Sequence, residues 1–312
     1  MPLDPQIATV LAQAKAMGGK PVYQQTVAQA RAALAMMCAM GGRSTATLAD
    51  VANRTIPGPG GEIPVRIYAP TGDGPFGLLV FFHGGGFVLG DLQTHDGVCR
   101  ELAAGAECVV VAVDYRRAPE AKYPAAADDC EAATRWAVSN ASDLNVDPAR
   151  VAVGGESAGG NLSAVVAQRL RNSGGPALVG QLLVYPAARL VGEETASMRE
   201  NAEGYFLEVK DFEWFMEAYL SDPEHANLAD ASPGLAEDLS GLPAALVITA
   251  EYDPIRDDGE WYGEALRKAG VDVTITRYDG AIHGFWNFFG MLGIGRKAMD
   301  ESVAWLRGRL AA

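Results

Sequence analysis

Basic residues, cysteines and long apolar runs are all scarce in this sequence of 312 residues. Lys and Arg number 25 against 39 Asp and Glu, which gives a formal net charge of −14. Nucleic acids and anionic membranes bind basic surfaces, whereas the longest Lys/Arg runs here are pairs such as Arg116-Arg117. We therefore expect neither a nucleic acid nor a membrane as a partner.

Apolar stretches are too short to predict a membrane span. The longest one near the start extends from Ala32 to Met40, about half of the ~18 residues that a spanning helix needs. The first residues, MPLDPQIATV, also lack the basic and apolar segments of a secretory signal. We expect a cytoplasmic protein.

Cysteine and histidine occur four times each, without metal-binding or redox spacing. The absence of a Cys-x-x-Cys pair argues against a zinc ribbon or a dithiol motif, and the absence of a His-x-x-x-His pair argues against a metal site. We expect the cysteines to be small buried side chains in a reducing compartment. They are Cys38, Cys99, Cys108 and Cys130.

What is present is typical of a globular α/β protein. Hydrophobic residues make up 49% of the sequence and charged residues 21%, which excludes a disordered or fibrous chain. Short apolar segments alternate with stretches of helical spacing, as a parallel sheet covered on both faces requires. The predicted strands are 78–82, 109–113, 151–153, 182–184, 245–249 and 271–277, with an extended stretch at 65–68. The predicted helices are 125–138, 158–170, 260–269 and 297–310.

Two further helical stretches interrupt this pattern. Residues 1–50 show helical spacing at 7–14 and 27–37, and the interval between Pro186 and Pro233 is too long for an ordinary crossover. Insertions after parallel strands lie at the edge where α/β sheets bind ligands, so we expect both stretches to form a cap over the site. The predicted division is cap 1–48, core 49–186, cap 187–232 and core 233–312.

The strongest local motif is Gly155-Glu156-Ser157-Ala158-Gly159, between a predicted strand and a predicted helix. A nucleophile elbow needs this context, because its serine occupies a strained turn and small neighbours let strand and helix backbones pass closely. The motif therefore predicts Ser157 as a nucleophile.

A second motif, His83-Gly84-Gly85-Gly86, follows the strand at 78–82. Acyl transfer needs N–H donors for the oxyanion of its tetrahedral intermediate, and we assign these to Gly84, Gly85 and Ala158. A phosphate-binding loop is disfavoured, since no Gly-Lys-Ser/Thr follows. We interpret His83 as shaping this loop rather than acting as a base.

The order of the remaining residues identifies the partners of Ser157. In a fold with this elbow an acid and then a histidine follow the serine. His283 follows the last predicted strand and is the expected base. Asp253 is the preferred acid, with Glu251, Asp257 and Asp258 as alternatives; the last two are expected to start the next helix.

At these residues the sequence resembles the hormone-sensitive-lipase family of α/β-hydrolase esterases. The matching motifs are HGGGF at 83–87, DYRRAPE at 114–120, GESAGGNL at 155–162, YDPIRDDG at 252–259 and HGF at 283–285. Arg117 and Glu156 depart from the usual residues, and Glu156 could alter a hydrogen bond that supports the elbow. The resemblance implies an α/β-hydrolase fold with a mostly parallel central sheet, helices on both faces and a helical cap. It also implies no cofactor, and dimerisation through the edge of the last strand.

The function that the resemblance implies is hydrolysis of short- to medium-chain carboxylic esters through an acyl-enzyme intermediate on Ser157. An amidase, a lactonase or a small-molecule deacetylase would use the same triad and stays open. A non-catalytic ligand receptor is disfavoured because His283 is present, and a lipid-interface lipase because no interfacial patch is evident. Candidate pocket walls, each equally consistent with core packing, are Phe87, Tyr185, Phe206, Phe285 and Trp286.

Overall fold

The computed structural model describes residues 2–311, which form one eight-stranded sheet and nine α-helices. The strands are β1 (Asp50–Gly58), β2 (Gly61–Ala69), β3 (Phe76–Phe82), β4 (Cys108–Val113), β5 (Val146–Glu156), β6 (Gly180–Val184), β7 (Ala244–Tyr252) and β8 (Val273–Ile282). The helices are α1 (Pro5–Ala16), α2 (Val27–Gly41), α3 (Asp96–Ala106), α4 (Ala125–Ser139), α5 (Ala158–Asn172), α6 (Ala196–Glu200), α7 (Val209–Tyr219), α8 (Arg256–Lys268) and α9 (Gly293–Leu310).

The sheet has the strand order β1-β2-β4-β3-β5-β6-β7-β8. The pairs β1–β2 and β2–β4 are antiparallel, and all pairs from β4 to β8 are parallel. The carboxyl ends of β3, β5, β7 and β8 therefore lie at one edge of the sheet. The loops that follow these four strands carry the Gly84 loop, Ser157, Asp253 and His283.

Apolar side chains on both faces of the central strands explain why helices cover both sides. In β3, Leu78 and Val80 pack in the cluster that includes residues of α4, α5 and α8. Leu79 and Phe81 point the other way, into the cluster formed with α3 and α9. The predicted mostly parallel sheet with helices on both faces is confirmed.

Two elements were not predicted from the sequence. The strand β1 has the sequence DVANRTIPG, in which Ile56 is the one buried residue, so it lacks an apolar run. Its strand geometry comes from pairing with β2 across the turn between Gly58 and Gly61. The helix α3 contains two glycines and a buried face of small residues, and both features weaken a helical pattern.

The two stretches expected to form a cap are helical and touch each other. The turn that joins α1 to α2 contacts the start of α7, where the backbone N–H of Tyr23 donates to Oδ1 of Asp211 at 2.9 Å. The second oxygen of Asp211 accepts from the N–H of Glu208 at 3.1 Å, and Asp211 is fully buried. Across residues 2–311, no helix is both long and apolar enough to cross a membrane.

Candidate active site

Ser157 occupies the sharp turn between β5 and α5. Its backbone has φ 55° and ψ −117°, a strained conformation for a residue with a Cβ. A Cβ at Gly155 would lie 2.3 Å from the carbonyl oxygen of Phe82, and one at Gly159 would lie 1.9 Å from it. The two glycines are therefore required for the elbow to pass beside β3.

Ser157, His283 and Asp253 form a hydrogen-bonded chain. Nε2 of His283 lies 3.0 Å from Oγ of Ser157, and Nδ1 lies 2.7 Å from Oδ2 of Asp253. Because an ionised carboxylate only accepts hydrogen bonds, Nδ1 carries the hydrogen and Nε2 is left to accept the serine proton. The other oxygen of Asp253 accepts from the N–H of Ile255 at 3.0 Å, which fixes the carboxylate.

The electrostatics of His283 suit a general base. Burial alone would lower its pKa, but the charge of Asp253 and the hydrogen bond to it, with a smaller contribution from Glu156, raise the pKa above the ordinary histidine value. A raised pKa makes the imidazole a better proton acceptor. It also stabilises the imidazolium that proton transfer would create.

The three alternative acids, Glu251, Asp257 and Asp258, accept hydrogen bonds from groups other than His283. Asp257 accepts from the backbone N–H of Ser197 at 2.8 Å, and Asp258 accepts from Arg189 at 2.6 Å. Both lie in the first turn of α8, as expected. Glu251 accepts from the N–H of Gly280 at 2.6 Å. Of the four acids, Asp253 is the one hydrogen-bonded to His283.

The glycine loop after β3 places two glycines at the site. Gly85 and Gly86 have φ of 109° and 61° and line the cleft together with Ala158. Gly84, which was expected to be an oxyanion donor, does not line the cleft and packs against the Glu156 carboxylate, where a Cβ on it would lie 1.9 Å from Oε1. Within the described residues the N–H groups of these three glycines donate no hydrogen bond to the protein.

His83 has the structural role expected of it. Its ring stacks on Tyr115 with centroids 4.2 Å apart, and Nδ1 lies 2.9 Å from the carbonyl oxygen of Gly84. Burial lowers the His83 pKa to about 3, so the ring is neutral at ordinary pH. His83 therefore shapes the loop and does not face Ser157 as a second base.

A cleft of about 1050 Å³ opens above Ser157 and His283. Its walls come from the two helical stretches outside the core. The first supplies Leu11, Leu34 and Met37; the second supplies Phe206, Phe212, Phe215 and Met216. Apart from Phe206, these residues follow helical spacing in the sequence, but spacing does not say what an amphipathic face covers.

The aromatic residues proposed as pocket walls divide into two groups. Phe87 and Phe206 line the cleft. Tyr185, Phe285 and Trp286 are in the core instead, where the Trp286 indole donates to Ser302 at 3.1 Å. For these three the alternative of core packing applies, because proximity to a motif in sequence does not fix the direction of a side chain.

The described part of the chain contains no group of three or more His, Cys, Asp or Glu side chains arranged to hold a metal ion. Ser157 and His283 line the cleft together with Gly85, Gly86 and Ala158, and His95, Glu156 and Asn287 also contribute to its lining.

Known proteins share both the sequence and the structure of this chain. A family model described as alpha/beta hydrolase fold matches residues 79–287. Carboxylic ester hydrolase LipN of Mycobacterium tuberculosis is 45% identical over 99% of this chain and 84% of its own length. An arylesterase of Saccharolobus solfataricus is 41% identical over 72% of this chain and 73% of its own.

Among solved structures, a hyperthermophilic esterase from the archaeon Pyrobaculum calidifontis superposes with a TM-score of 0.93 at 41% identity, covering 99% of both chains. The range that the family model matches includes Gly85, Ser157 and His283. The chain therefore belongs to the hormone-sensitive-lipase-like family of carboxylic ester hydrolases with the α/β-hydrolase fold.

Proposed function

We propose that the protein is a serine carboxylesterase that hydrolyses short- to medium-chain esters through an acyl-enzyme on Ser157. The observation that carries this proposal is the chain of hydrogen bonds from Ser157 through His283 to Asp253, at 3.0 and 2.7 Å. A hydroxyl at an elbow, a base with a free lone pair and an orienting carboxylate are the three parts that acyl transfer needs.

In the proposed mechanism His283 removes the proton of Ser157 as Oγ attacks the ester carbonyl. Asp253 holds the imidazole in the tautomer that accepts at Nε2 and stabilises the resulting imidazolium. His283 then protonates the departing alcohol. Water, deprotonated by the same histidine, attacks the acyl-enzyme; the bond from Oγ to the acyl carbon then breaks, His283 returns the proton to Oγ of Ser157, and the acid is released.

The oxyanion would bind to backbone N–H groups at the base of the cleft. Gly85, Gly86 and Ala158 line that space, whereas Gly84 does not line it and packs against Glu156. We therefore assign the oxyanion donors to Gly85, Gly86 and Ala158. The assignment from the sequence was Gly84, Gly85 and Ala158, so Gly86 replaces Gly84. The N-terminal end of α5 adds a favourable dipole for the developing charge.

The cleft supports an uncharged ester of modest length. Apolar side chains from 1–48 and 187–232 form its walls above Ser157, and we propose that these segments act together as the cap. Such walls would bind the acyl and alcohol parts through burial of apolar area, about 25 cal/mol per Å².

The test compares Ser157→Ala with a control at an exposed serine, Ser142→Ala, on p-nitrophenyl esters from acetate to palmitate. We expect Ser157→Ala to lower kcat roughly 10³-fold or more with an unchanged circular dichroism spectrum, and the control to match the parent. A fluorophosphonate should label the parent but not Ser157→Ala. Near-parental activity in Ser157→Ala would overturn the proposal, and a preference for anilides or lactones would redirect it to an amidase or a lactonase.

We propose further that two chains pair through β8. This strand lies at the end of the sheet order, and among the described strands it pairs with β7 on one side only. An open edge presents backbone donors and acceptors to a second strand. Light scattering after size exclusion is expected to give twice the chain mass; a monomer at micromolar concentration would refute the pairing.

For the compartment, we propose the cytoplasm. All four cysteines are buried thiols without a disulfide, which fits a reducing environment. Cell fractionation with an antibody against the chain would test this location.

A further inference from the structure

Glu156, the last residue of β5, is buried directly beside the nucleophile. It precedes Ser157 in the chain and is 4% exposed. A buried carboxylate loses the solvation of water and persists as a charge only where other groups replace that solvation. The groups around Glu156 therefore indicate what stabilises its buried charge.

The contacts of Glu156 come from the loops around the site. Oε1 accepts from Nε2 of His95 at 3.0 Å, and His95 stands at the start of α3, after the glycine loop. An ionised carboxylate only accepts, so this nitrogen carries its hydrogen. The carboxylate also packs against Gly84, where a Cβ would come within 1.9 Å of Oε1.

The turn that follows His283 also influences the charge of Glu156. Asn287 lies in the 3₁₀ segment Phe285–Phe288, and its side-chain amide favours the charged form of Glu156. Burial would raise the Glu156 pKa, but the hydrogen bond and charge of His95, the charge of His283 and the Asn287 amide together lower it. Glu156 is therefore charged during catalysis.

We propose that Glu156 is a positioning residue that fixes the elbow relative to the glycine loop and the start of α3. Its backbone belongs to the elbow, and its carboxylate packs against Gly84 of the glycine loop and accepts from His95 at the start of α3. The inference rests on the proposed roles of Ser157 and His283.

Two consequences for the reaction follow. Loss of the shared carboxylate would let the oxyanion donors of the glycine loop move relative to Ser157, which lowers kcat more than it changes KM. The negative charge of Glu156 also favours the imidazolium of His283. Neutralising Glu156 would therefore lower the pKa of His283 and move the acid limb of the kcat profile to lower pH.

The experiment uses Glu156→Gln, which keeps the size and removes the charge, in the full-length chain. We expect kcat to fall about tenfold with KM within about threefold, and the acid limb to move to lower pH. Asp129→Asn serves as a matched control, because Asp129 is also a fully buried carboxylate but binds Arg116 away from the site. This control is expected to lose stability and to keep the acid limb of the parent.

A second pair of variants keeps the inference testable if Glu156→Gln does not fold. His95→Gln can still donate to the carboxylate and is expected to keep kcat within about threefold, whereas His95→Ala should lose about tenfold. Equal kcat in all variants, or an unmoved acid limb in Glu156→Gln, would overturn the positioning role. If Ser157→Ala were active and unlabelled by fluorophosphonate, the proposed function itself would fail. This outcome is distinct from the failure of the positioning role of Glu156.

Discussion

Gly159 illustrates how single residues constrain the site. A Cβ at this position would lie 1.9 Å from the Phe82 carbonyl oxygen, and backbone there cannot give way as a flexible side chain would. We expect Gly159→Ala to reduce the free energy of unfolding by roughly 2–3 kcal/mol and to displace Ser157, which lowers kcat.

Urea unfolding and ester hydrolysis would measure both effects of Gly159→Ala. Gly308→Ala is the control, because Gly308 is exposed in α9 and a Cβ there meets nothing within 4 Å. This control should gain up to about 1 kcal/mol from helix propensity and keep full activity. An unchanged midpoint in Gly159→Ala would contradict the close packing of the elbow on β3.

The pH dependence of activity is also determined at single residues. His283 acts as a base only when neutral, and Asp253 raises its pKa, so activity falls as the pH drops through that raised pKa. In Asp253→Asn this charge is lost and the His283 pKa falls, which moves the acid limb of the profile to lower pH.

We expect Asp253→Asn to lower kcat by roughly 10³- to 10⁴-fold because it also favours the wrong tautomer. Rate profiles between pH 4 and 9 would measure both effects. An acid limb at the same pH in parent and variant would show that Asp253 does not control His283.

The roles of some single residues in the site could be assigned from the sequence, and those of others could not. Ser157, Asp253 and His283 were chosen because each follows a strand in a required order, and the structure brings the three together. The choice between Gly84 and Gly86 depends on backbone direction within a loop, which no spacing rule gives. The contacts of Glu156 involve Gly84 and His95, far away in the chain, and were equally hidden.

On the scale of helices and strands, Asp211 joins the two wall-forming segments. It accepts N–H groups from Tyr23 in one segment and Glu208 in the other, and it is fully buried. In Asp211→Asn the amide can replace only one of these acceptors, so the segments should separate more easily.

We expect Asp211→Asn to raise KM for octanoate esters three- to tenfold while KM for acetate stays near the parent value, because long acyl chains need both walls. Hydrogen exchange should increase in residues 20–41. Glu213→Gln, an exposed change in the same helix, is the control. Equal KM increases for both esters would argue against a wall effect.

Strands with strong apolar patterns could be predicted from the sequence. A strand that forms because a neighbouring strand pairs with it could not. The strands β3 and β4 are fully apolar or nearly so and were found within a few residues. The strand β1 contains mostly polar residues and exists because β2 pairs with it. Its stabilising contacts lie outside any short window of sequence.

For the molecule as a whole, the net charge of −14 should influence which esters reach the cleft. A negative molecule repels anions over about one Debye length, ~10 Å at 0.1 M salt. We expect the kcat/KM of a hemisuccinate ester to be several-fold lower than that of a neutral ester of equal length, with the ratio approaching one as salt increases.

This charge effect can be checked with kcat/KM at 10 mM and 500 mM NaCl for both esters, the neutral ester serving as the control. A ratio that does not depend on salt would assign the discrimination to contacts inside the cleft rather than to long-range repulsion.

The alkylation of the four buried thiols can report which parts of the fold become exposed to solvent. Burial raises the pKa of Cys38 and Cys108 to about 12 and those of Cys99 and Cys130 further, so the native fold should resist alkylation. Cys38 is in α2, whereas the other three lie in the core elements α3, β4 and α4. Alkylation at Cys38 ahead of the other three would therefore time the undocking of the N-terminal helices separately from global unfolding, without any introduced label.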